Sequence, residues 1–403
     1  MPPRAVNHSL RPVDHSPRNH WSRASLLHYP ADCDTACTGM RGEQGPGEQV
    51  SSKQGHPPPI ILDLHARTLP VTAARAVELL GGKGANLYRL AGEGFPIPRG
   101  FCLTTAAYRR VVEEELLSAP PLVSTPAELV ERLLDIDLPD HIGRALADAY
   151  AELKSGDGQP RLAVRSSATG EDSAEASHAG QAATFLNVAG FGALLEAVRG
   201  CWASLWSEAH LAYRHRPARP ANGLLIKQAP AMAVVIQEMV PARVAGVLFT
   251  CNPVTGNSAE MVVSAAWGLG ETVVAGGAAD TYTVDRQGRL LRQDLARKGS
   301  LVEQHPDGGT RTRTLPPAEA HRPCIPESLL TRLAALGRAV ERALGGPQDI
   351  EWAEVDGRLF LLQARPITAS GEPLPVATPG RRRALGAPPP RQRSGGGETR
   401  PGL

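Results

Sequence analysis

Residues 349–365 read Asp-Ile-Glu-Trp-Ala-Glu-Val-Asp-Gly-Arg-Leu-Phe-Leu-Leu-Gln-Ala-Arg. Two runs of alternating polarity flank Asp356-Gly357, a strong local signal for a β-hairpin. Ile350, Trp352, Phe360 and Leu362 occupy even positions, whereas Asp349, Glu351, Gln363 and Arg365 occupy odd ones. Parity therefore predicts one apolar and one polar face. A plain two-residue turn pairs 355 with 358 and sets Glu351 against Leu362, which mixes the faces. A register shifted by one, through a longer loop or a bulge, sets Glu351 against Gln363 and Asp349 against Arg365. The shifted register is the expectation. It places a carboxylate beside an amide oxygen, a donor set suited to magnesium, with an arginine fork next to it for a phosphate. An edge hairpin with a surface ion pair uses the same residues, and on these residues alone both readings stand.

Outward from this hairpin, the chain has 403 residues, enough for a large core in two lobes. Lys and Arg total 43 against 41 acidic residues, and a net charge of +2 gives no reason to invoke nucleic acid or a membrane surface. No apolar run is long enough to span a bilayer and no signal peptide is recognisable at Met1. The six cysteines are scattered, mostly in apolar contexts, which fits reduced thiols and a cytoplasmic location. Residues 1–58 lack either hydrophobic period and read as a disordered extension. Residues 372–403, rich in Pro, Gly and Arg, read as a disordered basic tail.

Between these ends, a first lobe is expected over 59–220 and a second over 221–371, with the Arg-Pro-rich stretch 215–222 as the boundary. Gly81-Gly82-Lys83-Gly84-Ala85-Asn86-Leu87 is expected to open a short helix, placing Lys83 at its N-terminus. A cation there opposes the helix dipole, and phosphate binding rationalises it, although a Gly-Gly-Lys-Gly also serves as a flexible turn. Arg161 to Arg165 and Thr184 to Val188 read as strands around a loop of small hydroxyl and glycine residues. Such a loop brings backbone N–H groups close to an anion, and Arg165 supplies charge. Thr125-Pro126-Ala127-Glu128 is a capping box. Trp202, Leu205 and Trp206 at helical spacing read as core. In the second lobe, strands are expected around Pro241 and at 260–264, 280–285 and 293–298, with Lys298 as a further cation for a nucleotide, and an amphipathic helix over 326–344.

Taken together, Gly81-Gly-Lys-Gly-Ala-Asn-Leu87, Ala163-Val-Arg-Ser-Ser-Ala-Thr169, Ala179-Gly-Gln181, Gln237-Glu-Met-Val240, Asp349-Ile-Glu-Trp352 and Leu362-Gln-Ala-Arg-Pro366 make the chain resemble a known domain. It is similar to the nucleotide-binding domain of the pyruvate phosphate dikinase, phosphoenolpyruvate synthase and rifampicin phosphotransferase family. The resemblance covers about residues 60 to 370. It implies an α+β, two-lobed ATP-grasp fold and an ATP-dependent phosphotransferase using ATP and magnesium. By motif, Lys83 and Arg165 hold ATP phosphates, Gly180 and Thr184 line the phosphate loop, and Gln237 sits by the adenine pocket. Glu351 and Gln363 ligate magnesium, Asp349 supports that site and Arg365 contacts the terminal phosphates. Lys83, Arg165 and Arg365 are thus the catalytic candidates.

In that family ATP's β-phosphoryl passes to a carrier histidine, releasing AMP and phosphate. No carrier motif is recognisable after residue 321, and His178 stands where the family usually has phenylalanine. The expectation is that the chain performs the ATP half-reaction with a phosphohistidine carrier from another polypeptide. The rival is a non-catalytic ATP-binding module or a truncated remnant. Asp280-Thr-Tyr282 follows alanine rather than the Pro-Asp of the synthases, which leans toward the antibiotic-kinase branch.

Overall fold

The computed structural model describes residues 57–66, 72–117, 125–154, 158–169, 183–206 and 231–367. Gly180, the basic tail and the N-terminal extension up to residue 56 lie outside them. Strands β1 (Ile61–Asp63), β2 (Gly100–Leu103), β3 (Arg161–Ala168), β4 (Thr184–Ala189) and β5 (Met232–Glu238) form one sheet, in the order β1-β2-β5-β3-β4. Strands β6 (Val244–Phe249), β7 (Glu260–Trp267), β8 (Asp280–Asp285), β9 (Leu290–Asp294), β12 (Gln348–Val355) and β13 (Arg358–Pro366) form a second, in the order β13-β12-β6-β7-β8-β9. A separate two-stranded arm consists of β10 (Ser300–Gln304) and β11 (Thr310–Thr314). With helices covering both sheets, the class is α+β.

The central strand β5 reads as an unbroken apolar run because it is buried on both faces. Val234 and Ile236 enter one core, and Ala233 and Val235 the other. Its pairing with β2 and β3 puts it in the first sheet, not in the second lobe as the boundary at residue 220 implies. The chain crosses between sheets at residues 239–243, where Pro241 cannot continue a ladder.

Helices α2 (Thr105–Val111), α3 (Pro126–Asp135), α4 (Asp140–Glu152) and α5 (Phe191–Ser204) contribute Val111, Leu133, Ile142, Leu146, Leu194 and Trp202 to the outer core of the first sheet. The expected capping box is present on α3: Glu128 N–H donates to Thr125 Oγ1, and Thr125 N–H to the Glu128 carboxylate. Helix α1 (Ala73–Gly92) lies between the sheets. Its Leu80, Leu87 and Leu90 share one core with Val235 of the first sheet and with Ile350 and Trp352 of the second. A long amphipathic helix, Glu327–Leu344, closes that core from below through Leu329, Leu333, Leu336 and Val340. Each fully buried leucine contributes about 1.5–3 kcal/mol, so this continuous core binds the two sheets together.

The hairpin has the expected register, by a route that combines both options. Val355 pairs with Arg358 across a two-residue turn in which Asp356 (φ 51) and Gly357 (φ 75) are both left-handed, the pattern of a type I′ turn. A shift after Glu351 then opposes Glu351 to Gln363 and Asp349 to Arg365, leaving Leu362 as the extra residue. This bulge corrects the parity reading of β13. Leu361 and Ala364, not Phe360 and Leu362, join Ile350 and Trp352 in the core. Phe360 and Leu362 pack on the opposite side with Val240, Ala245 and Ala353.

Candidate functional site

The site begins at a break in α1. Gly81 has φ 68 and ψ 176, which interrupts the helix and starts a new segment, so Lys83 does lie at a helix start, although helix also precedes it. A Cβ at Gly81 would fall 2.2 Å from the Ser167 carbonyl oxygen, so only glycine permits this approach. Ser167 holds both sides of the break: its hydroxyl donates to the Leu80 carbonyl at 2.7 Å and accepts the Gly84 N–H at 3.0 Å. With the backbone fixed this way, the buried Lys83 ammonium donates to the Ser166 carbonyl at 3.3 Å. Residues 165–167 of β3 thus anchor the glycine segment.

Arg165, Ser167 and Gln237 share one sheet face, because Arg165 pairs with Val235 and Ala163 with Gln237. Thr184 is the partner of Arg165 across β3–β4 and is exposed. From this face Arg165 reaches the second sheet. Its Nη1 donates to Glu351 Oε2 at 2.9 Å and to Gln363 Oε1 at 3.4 Å. One cationic nitrogen therefore marks the point on which the carboxylate and amide oxygens converge. Arg165 Nε and Gln237 Nε2 are buried and have no hydrogen-bond partner among the described residues. Both are donors, and leaving a buried donor unpaired costs about 1–3 kcal/mol.

Beside this pair, Arg365 Nε and Nη2 both donate to Asp349 Oδ2, at 2.9 and 2.8 Å. Burial pushes the Asp349 carboxyl above its ordinary range; the Arg365 guanidinium opposes the shift and the Glu351 carboxylate adds to it. Asn86 Nδ2 donates to the Ala364 carbonyl at 3.0 Å, tying the helix that carries Lys83 to the strand that carries Gln363 and Arg365.

Comparison with known proteins decides the relationship. The description "Pyruvate phosphate dikinase, AMP/ATP-binding domain" matches residues 77–383. The chain belongs to this family. It is 37% identical over 314 residues to a probable phosphoenolpyruvate synthase of Methanothermobacter thermautotrophicus, covering 73% of this chain and 45% of that protein. It is 39% identical over 307 residues to a rifampicin phosphotransferase of Streptomyces sviceus, covering 72% and 34%. Against the prodigiosin synthesizing transferase PigC of Serratia marcescens the identity is 36% over 297 residues, covering 73% and 32%. The chain spans from just under a third to just under a half of the length of these relatives. The two sheets, joined through α1, give this family member a two-lobed α+β architecture.

Within this dikinase-type domain the structure brings together Arg165, Glu351 and Gln363 directly, Lys83 through β3, and Asp349 with Arg365 two pairs along the hairpin, on the same face. Gly180 lies outside the described residues. The oxygens of Glu351 and Gln363 suit a hard divalent cation, and that both already face one cationic nitrogen shows that they can share a charge. Lys298 does not join the site. Its ammonium is 1% exposed, paired with the Asp280 carboxylate and donating to the Ala296 carbonyl, while the same carboxylate accepts the Ala296 and Cys324 N–H groups. It is a structural cation.

Phe360, Leu362 and Val240 are functional candidates that parity alone missed. They form a half-open apolar patch on the Glu351 side of the sheet, three residues past Gln237 in the case of Val240. No residue pattern marks them beforehand: only because the bulge makes Leu362 the extra residue does Phe360 share the polar face.

No helix among the described residues is long and apolar enough to cross a membrane. Cys102, Cys251 and Cys324 are free thiols.

Proposed function

We propose that this domain binds magnesium-ATP between its two sheets and passes a phosphoryl group to a histidine carrier, the ATP half-reaction of a dikinase-type phosphotransferase. The observation that carries the reading is the convergence of Glu351, Gln363 and Arg165 on one point from opposite lobes. Two oxygens from adjacent strands suit magnesium bridged to phosphates, since that ion keeps few protein ligands and takes the rest from substrate and water. Glu351 and Gln363 would hold the ion, which when bound would supply neutralisation of phosphate charge.

The chain's own groups do the remaining work. Lys83 and Arg165 supply fixed positive charge, and the unpaired Nε of Arg165 offers a ready donor to a phosphate oxygen. Asp349 holds Arg365 in orientation for the terminal phosphates. Thr184, opposite Arg165, completes the phosphate side. The patch of Phe360, Leu362 and Val240 gives adenine an apolar bed, and Gln237 Nε2 gives it a hydrogen-bond donor. Because phosphoryl transfer asks little covalent help from the protein, positioning and charge account for the catalysis.

The test is product analysis with ATP, magnesium and a phosphohistidine domain from a phosphoenolpyruvate synthase. AMP, phosphate and labelled histidine are expected. ADP in place of AMP refutes the half-reaction, and magnesium-dependent ATP binding with no product marks a binding module. Glu351→Gln, which keeps the shape and removes the charge, is expected to abolish the magnesium dependence of ATP binding.

A further inference from the structure

The arm formed by β10 and β11 leaves the second lobe and ends on the first. Near its root, Leu269 N–H donates to the Val302 carbonyl at 2.8 Å, and Leu315 N–H to the Gly299 carbonyl at 2.9 Å. At its tip, residues 305–309 meet β3 and β4. There Asn187 Nδ2 donates to the His305 carbonyl at 2.7 Å and to the Gly309 carbonyl at 2.6 Å. Gly309 N–H returns a bond to the Asn187 carbonyl at 3.0 Å, and the Arg161 guanidinium donates to the Pro306 carbonyl.

Asn187 is built for this contact. It is fully buried, has φ 54, and sits where the β3–β4 register slips by one between Leu162 and Val164. Asparagine tolerates the left-handed region better than other side chains, and a bulge re-aims a side chain out of the ladder. The joint is also incompletely satisfied. Asn187 Oδ1, Arg161 Nη1 and Gln304 Nε2 are buried with no hydrogen-bond partner among the described residues. Solvent can meet all three on opening, so the clasp is easier to release than a saturated interface of the same size.

Three residues along β4 from Asn187, about 10 Å at strand rise, stands Thr184, opposite Arg165. The arm therefore ties the strand that feeds the phosphate side of the site to the lobe that carries Glu351 and Gln363. We propose that Asn187 is a positioning residue: by clasping the arm it sets the spacing between Arg165 and Thr184 on one lobe and the metal-facing pair on the other. The inference rests on the ATP-binding reading above and extends it to a residue that touches no ligand.

Two variants test it by calorimetric titration with ATP and with AMP, both in magnesium. Asn187→Gly keeps the left-handed backbone and removes the amide. Replacing residues 305–309 by Asn-Gly removes the carbonyls that the amide holds. Each is expected to weaken ATP binding about tenfold, the equivalent of one to two lost hydrogen bonds, and AMP binding by less than about twofold. The double variant is expected to be no worse than either single one. Arg313→Ala, on the exposed part of the arm, is expected to bind both nucleotides as the parent does.

An unchanged ATP-to-AMP ratio in both variants overturns the proposal and leaves the ATP-binding reading intact. Equal losses for ATP and AMP also overturn it, since they indicate general loosening. A parent protein that binds no ATP removes the underlying reading and the inference together. Should Asn187→Gly not fold, the shortened arm, whose change is confined to the hairpin tip, decides by the same ratio.

Discussion

Ser167 governs Lys83 through the backbone on either side of it. Its hydroxyl spans the gap between Leu80 and Gly84 beside the break at Gly81, accepting the Gly84 N–H and giving the Leu80 carbonyl a much closer donor than the Cys102 thiol at 4.0 Å. Ser167→Ala removes both bonds and is expected to cost about 1–3 kcal/mol in urea unfolding. It should also weaken ATP binding about tenfold, because the ammonium loses its fixed backbone. Gly81→Ala should be worse in both measurements, since it adds a clash with the Ser167 carbonyl to a disfavoured φ. A second expectation at this scale concerns pH. Burial raises the Asp349 carboxyl above its ordinary value of 3.8, so within the window above 3.8 the folded state keeps a proton that the unfolded chain has lost. The sign follows: this group's contribution to stability is largest at low pH and falls as pH rises through the folded-state value. Over the same interval the ionised carboxylate gains its hold on Arg365. As pH rises above 3.8, stability of the parent relative to Asp349→Asn should therefore decline, while its ATP affinity relative to that variant should rise. Urea unfolding and titration calorimetry at matched pH check the two slopes.

The hairpin shows how one element places a site. Its turn needs two left-handed residues in succession, and glycine meets the second requirement without strain. Gly357→Ala meets no neighbour within 4 Å, so its expected penalty of about 1–2 kcal/mol is purely conformational. Denaturation should record that loss while ATP affinity stays unchanged, because the bulge sets the Glu351–Gln363 pairing several residues away. The same element shows what was legible beforehand. Asp-Gly between alternating runs announced the turn, and the polarity of Asp349, Glu351, Gln363 and Arg365 announced the register, because a mixed pairing wastes burial. The means of reaching that register was not legible, since a bulge leaves no residue signature in an apolar stretch such as Leu359 to Leu362. The break in α1 was only half legible: Gly81-Gly82 signalled a helix start, but the helical residues before it carry a weak stripe. Lys298 was misread for a more general reason. Its partner Asp280 is eighteen residues away, on β8, whereas Lys298 lies in the connection after β9, which ends at Asp294 and not at the expected 298, and no spacing rule connects the two. The arm of β10 and β11 escaped notice because its exposed Thr and Arg residues carry no apolar alternation.

At the scale of the whole molecule, the question is whether two sheets that meet at one site behave as one body. Three links argue that they do. The core around α1 is continuous from Val235 to Trp352, with no polar layer between. The Arg165–Glu351 ion pair closes at 2.9 Å with both groups largely shielded, so water screens it less than a surface pair. The clasp at Asn187 adds a third connection remote from the first two. A ligand that touches both lobes must then stabilise the entire described body and not the half it contacts most. Scanning calorimetry is expected to show a single main transition. ATP with magnesium at one hundred times the dissociation constant should raise stability by about 2.7 kcal/mol, moving that transition without splitting it. Glu351→Gln should shrink the shift produced with magnesium and leave the smaller shift produced without it. A trace in which one half moves and the other stays would mean that the lobes unfold separately, and the ion pair and clasp would then be contacts between independent units and not parts of one cooperative fold.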